Sequence, residues 1–137
     1  MVGNDVVVWD YIDEWLRKIV RYKAPRGDEG FEVNETVAAR LREVLREICE
    51  DSSVFPHISS DGENGITAVW HAKKYVLQVC VWNDLEVWIF VQGPTTPGRA
   101  QKFDAKESQN VKEHLRTLSR HVNRVNPQWR ELLLAAT

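Results

Sequence analysis

Apolar residues recur along this chain in two different periods, and the change of period divides it into helix, sheet and helix. Trp9, Ile12, Leu16 and Ile19 fall three or four positions apart, the spacing that lines one face of an α-helix. Asp13 and Arg17, and Glu14 and Lys18, stand i,i+4 in the order that favours helical ion pairing. Asn4 or Asp5 offers a cap at the start, and Pro25 disfavours helical geometry at Ala24, so this first helix is predicted to end near Lys23. Pro25-Arg26-Gly27-Asp28-Glu29-Gly30 then reads as a loop. A second helix is announced by apolar Val33 ahead of a capping Asn34. Its stripe is Val37, Leu41, Val44, Leu45 and Ile48, and it runs to about Glu50.

From Ile66 the period drops to two. Ile66–His71, Tyr75–Trp82 and Leu85–Gln92 are rich in β-branched and aromatic residues and are joined by the short connectors Lys73-Lys74 and Asn83-Asp84. An antiparallel meander follows from such short links. Gly93-Pro94-Thr95-Thr96-Pro97-Gly98 is expected to end the sheet. The helical period returns in Val111, Leu115, Leu118 and Val122, a third helix predicted over 105–123. Asn126-Pro127 then opens a short last helix over 128–135. The predicted fold class is α+β: a three-stranded antiparallel meander packed with helices, in the order ααβββαα, as a single domain spanning residues 1–137.

Length and composition agree with a packed domain. The 137 residues are 43% hydrophobic and 28% charged, and a domain of this size buries roughly two-thirds of its unfolded surface. No apolar run approaches the ~20 residues needed to cross a bilayer. The opening residues carry no basic segment ahead of an apolar stretch, which predicts no export signal and a cytoplasmic chain. In that compartment Cys49 and Cys80, which form no CxxC, are expected to be reduced thiols.

Pro56 and Ile58, Asp61-Gly62, Gly65-Ile66 and Trp70-His71, followed by two alternating strands, form a further pattern. It resembles one found in small uncharacterised prokaryotic and phage proteins, in which a Pro, an Asp-Gly turn, a Gly-Ile pair and a Trp lead into a short antiparallel sheet. The resemblance covers roughly residues 56–92, and this chain departs from it by placing Glu63 and Asn64 between the two glycines. It implies a fold element and a prokaryotic or phage origin, and no reaction.

Candidate chemistry is sparse. The histidines are His57, His71, His114 and His121. A zinc site needs three or four convergent ligands with a close-spaced pair, and none is present. His114 and His121 lie about 10 Å apart along a helix axis, too far to chelate one ion, and are expected to border the apolar stripe. No GxSxG elbow, Gly-rich phosphate loop or catalytic-cysteine signature occurs. Asp61 and Glu63 are read as turn acids, since a calcium loop needs several more oxygen ligands. No catalytic residue, metal or cofactor is therefore expected, and the chain is not expected to be an enzyme.

Two surfaces remain. In the sheet, Tyr75, Leu77, Val79 and Val81 share one face with Leu85, Val87, Ile89 and Val91 of the next strand. Trp82, Trp88 and Phe90 lie on the reverse among polar residues. That aromatic reverse face is either a partner-binding surface or is covered by the chain's own helices, the first helix with Trp9 and Trp15 being the obvious cover. The second surface follows from charge. Residues 1–98 hold ten Lys/Arg and sixteen Asp/Glu, and residues 99–137 hold eight and four, so the two parts carry −6 and +4. Lys112, Arg116, Arg120 and Arg124 form a row on the third helix that could touch phosphates or an acidic partner, or pair within the chain. The functional expectation is an accessory or protein-interaction protein, with a phage origin among those the resemblance implies. It would bind a protein partner, or itself as a homodimer, through the aromatic sheet face. The alternative is a nucleic-acid-binding protein using the basic row of the third helix.

Overall fold

The computed structural model describes residues 7–136. Helix α1 (Val8–Arg21) is followed by a single 3₁₀ turn (Glu29–Phe31) and α2 (Glu35–Ile48). Five strands come next: β1 (His57–Ser60), β2 (Ile66–Ala72), β3 (Tyr75–Val81), β4 (Val87–Gln92) and β5 (Arg99–Lys102). A second 3₁₀ turn (Ala105–Glu107) leads into α3 (Ser108–Val125), and α4 (Trp129–Ala136) ends the described chain. Among the described residues no helix is long and apolar enough to cross a membrane.

The class is α+β as expected, but the sheet has five strands where three were predicted, so the order is ααβββββαα. All five are antiparallel, in sequence order. Both missed strands lack the pattern that revealed the others. Ile58 is the only β1 side chain that enters the core, and Arg99-Ala100-Gln101-Lys102 supplies none. Backbone pairing alone makes these segments strands. Gly93–Gly98 does not end the sheet: Gly93 and Thr96 exchange both backbone hydrogen bonds, closing a turn that returns the chain to pair as β5. Leu85 is also displaced from the expected strand. It sits in the β3–β4 turn at φ 74°, partly exposed, with the Asp84 carboxylate accepting from the Glu86 N–H at 2.9 Å.

Helix boundaries follow local chemistry. The Asn34 side chain accepts from the Val37 N–H at 2.9 Å and so caps α2 as expected. Asn4 and Asp5, the expected caps of α1, lie outside the described residues. The third helix is preceded by the 3₁₀ turn at Ala105–Glu107, where Asp104 caps the Lys106 N–H, and becomes regular only at Ser108.

The core lies between the helical layer and one face of the sheet. Ile58, Ala68 and Val79 face the helices in one row, with Trp70, Leu77, Val81 and Ile89 beside them. Val37, Leu41, Val44, Leu45 and Ile48 of α2 and Val111, Leu115 and Leu118 of α3 complete it. The link from α2 to β1 passes through this core and needs partners for its polar backbone. The Trp70 indole donates to the Val54 carbonyl at 2.7 Å, and the Ser119 hydroxyl accepts from the Val54 N–H at 3.0 Å. One buried peptide segment is thus held from the sheet and from α3 together.

The β1–β2 turn is equally constrained. Asp61 Oδ1 accepts from the N–H groups of Glu63 (2.7 Å) and Gly65 (2.8 Å), so this acid organises the turn. Asn64, at φ 65°, donates its side-chain amide to the carbonyls of Glu29 and Glu32 and its N–H to that of Gly30. These bonds clasp the first 3₁₀ turn against the hairpin. A Cβ at Gly65 would strike the Asp61 carboxylate and the Val81 carbonyl. Gly65→Ala is therefore expected to lower the free energy of unfolding by about 1–3 kcal/mol, read from urea denaturation. A neutral substitution would show that the turn relaxes without cost.

Candidate functional site

The face of the sheet turned away from the core is set by strand pairing. His57, Val69, Gln78, Phe90 and Ala100 form one cross-strand row, and Thr67, Cys80, Trp88 and Lys102 the next. The helix-facing residues of β3 and β4 are mostly buried, while those between them remain half-exposed. Only Thr67, enclosed between neighbouring strands, is nearly buried here. Of the two alternatives, cover by α1 is not what the described residues show: Trp9 and Trp15 pack against the core on the other side. None of the described helices layers this face.

At one corner the aromatic residues meet. The rings of Trp82 and Trp88 stack with centroids 5.5 Å apart and an interplanar angle of 20°. Trp82 is 43% exposed. The Trp88 indole donates to Glu86 Oε1 at 3.0 Å, and Lys102 Nζ lies 3.8 Å from the same oxygen. Phe90 is placed differently from the two indoles: it lies so close over Gly98 that a Cβ there would collide with its ring. The β4–β5 loop therefore covers part of Phe90, and the exposed aromatic surface is chiefly the Trp82–Trp88 pair. Beside it the Gln78 amide lies 3.2 Å from Cys80 Sγ.

Lys102 and Ala100 reach this face from the strand that the sequence pattern did not reveal. Their only signal was the basic-polar run Arg99–Lys102, which carries no period to read.

The basic row of α3 is not a continuous free surface. Arg116 makes two hydrogen bonds to the Glu50 carboxylate, at 2.6 and 2.8 Å. This guanidinium holds the Glu50 carboxyl below its ordinary range. Partial burial opposes the shift, and the charges of Arg116, Lys112 and Arg120 reinforce it. Arg120 and Arg124 are exposed. The basic end of the chain thus meets its acidic part at Glu50.

The histidines of α3 border the apolar stripe as expected. His114 and His121 flank the Tyr75 ring, and His114 Nε2 lies 3.1 Å from the Val76 carbonyl. Among the described residues no three His, Cys, Asp or Glu side chains converge to hold a metal ion. Both cysteines are free thiols. Burial pushes the Cys49 thiol far above its ordinary value, with Glu50 adding to the shift and Lys112 opposing it. No protein-family model, curated protein or solved structure matches the chain.

Two tests follow from these surroundings. A thiol reagent such as Ellman's reagent is expected to label Cys80 in the folded protein and Cys49 only after unfolding. Two thiols of equal rate would contradict the burial of Cys49. A carboxyl whose folded pKa lies below its unfolded value contributes stability above the unfolded value and loses it as pH falls through the folded one. Glu50→Gln should accordingly lower the urea midpoint at neutral pH and leave it unchanged once carboxyls are protonated. An equal loss at both pH values would place the effect outside the ion pair.

Proposed function

We propose that this chain is a non-enzymatic interaction protein that binds a protein partner on the open face of its sheet. A second copy of itself is the occupant that best suits this face. One observation carries the proposal: the described helices all pack on the opposite side, leaving the stacked Trp82–Trp88 pair unlayered. The composition of the face supports a protein partner. Its centre, Val69, Thr67, Gln78 and Cys80, carries no formal charge, the Trp82–Trp88 stack fills one corner, and charged side chains lie toward its margins. Interfaces between proteins likewise keep formal charge out of their centre and are enriched in aromatic residues. A surface for nucleic acid would need a basic field, whereas here Lys102 is offset by Glu86.

A second copy is favoured because Glu86 and Lys102 are neighbours of opposite sign. Two copies related by a two-fold axis can pair each with its opposite. The nucleic-acid alternative on α3 has less support, since Glu50 occupies the guanidinium of Arg116 in the middle of the row.

Sedimentation velocity over a range of concentrations tests the proposal. The wild-type chain is expected to exceed the mass of one 15.9 kDa chain as concentration rises. Trp88→Ala should weaken that association by about 2 kcal/mol or more, the scale of an anchoring interface tryptophan. A wild type that stays at the mass of one chain throughout, or a Trp88→Ala variant that associates equally well, removes self-association through this face.

A further inference from the structure

A second feature lies at the far corner of the sheet. Strand β1 pairs only with Ile66–Val69, so Trp70, His71 and Ala72 of β2 run on without a β1 neighbour. Before β1 begins, the chain turns inward through Phe55 and Pro56, and both are buried. The notch left beside β2 is closed below by α1, α3 and α4 and forms a pocket of about 420 Å³, within the range of small-molecule sites.

Its walls are aromatic. Tyr11 stacks on Phe55 with centroids 4.5 Å apart, and Trp129 meets Phe55 edge-on at 5.0 Å. Trp70 lines the sheet side. The wall indoles have no donor to offer a ligand, because Trp70 donates to the Val54 carbonyl and Trp129 to Asn123 Oδ1 at 2.6 Å. Burial raises the Tyr11 phenol above its ordinary value, against an opposing hydrogen bond with Trp15. The interior therefore suits an apolar body.

The rim is different in character. His57 and His71 are exposed and line the pocket. They are diagonal neighbours across β1 and β2, since His57 pairs with Val69, two residues before His71. Diagonal neighbours lie about 7–8 Å apart, close enough for two imidazoles to address one small head group. The Arg130 guanidinium lies over the Phe55 and Trp129 rings, 5.4 and 5.0 Å from their centroids. No Asp or Glu lines the pocket among the described residues, although acids outnumber bases in the chain as a whole.

We infer that this pocket binds a small amphipathic anion, an apolar chain or ring ending in a carboxylate, with the apolar part between Phe55, Trp70 and Trp129 and the carboxylate at His57 and His71. The site is separate from the Trp82–Trp88 corner and does not depend on its role.

Isothermal titration of the full chain with decanoate, kept below its micellar range, tests the inference, with decylammonium as the probe of the same tail and opposite charge. Saturable binding of one decanoate per chain is expected, with decylammonium weaker by about tenfold or more. Replacing both rim histidines, His57→Glu with His71→Glu, should weaken decanoate by about tenfold or more without weakening decylammonium. Both positions are exposed, so this variant tests the rim without disturbing the core. Val122→Trp, which fills the pocket from α3, should weaken both probes, with its fold checked by circular dichroism. The inference is overturned by decanoate that does not saturate, by decylammonium that binds as tightly, or by decanoate binding that is indifferent to the histidine pair.

Discussion

A β-strand cannot choose its two faces independently. Once Leu77, Val79 and Val81 turn toward the helices, the pleat sends Gln78, Cys80 and then Trp82 the other way. Pairing to β4 aligns Trp88 and Phe90 with them. The hydrophobic gain on the helical side fixes this register, because a slip by one residue would bury Gln78 and expose the aliphatic row. The aromatic corner is thus a geometric consequence of the core, held in place by it. The grip on Val54 from Trp70 and Ser119 belongs to the same constraint, since it ties the interior link to the sheet and to α3 at once.

This dependence explains what could be read in advance. Wherever a segment buries one face, the sequence carries the trace, and α1, α2, α3 and the three central strands were legible from Leu41, Leu77, Ile89 or Leu115 and their periodic neighbours. Strands β1 and β5 bury almost nothing, so their pairing left no period. Leu85 misled for the opposite reason: an apolar residue in phase with Val87 was placed by the Asp84 turn outside the strand. Alternation correctly assigned Trp82, Trp88 and Phe90 to one face. It could not say whether α1 covered that face, because covering is decided by tertiary packing and not by local pattern. Nor could it foresee that Glu50 would meet Arg116, 66 residues away in the chain.

The two candidate surfaces meet at His57 and Val69 but obey different chemistry. The Trp82–Trp88 corner is flanked by a carboxylate and an ammonium, and is the surface proposed for a protein partner. The notch beside β2 is recessed, aromatic and free of acids among its described lining residues, and suits a small molecule. It exists because β1 is short. A β1 strand long enough to pair with Trp70 and His71 would have to replace the inward turn at Phe55 and Pro56 that builds the pocket wall.

The margins of the sheet limit how copies of this protein can assemble. Both outer strands are only four residues long, and β5 carries Arg99 and Lys102. Short borders, and on β5 charged ones, resist sideways addition of further strands, the mode of growth that has no natural end and leads to fibrils. A face that binds one partner, by contrast, is used up by it. If the broad side takes a second copy as proposed, the margins of the same meander would favour that closed pair over open-ended growth.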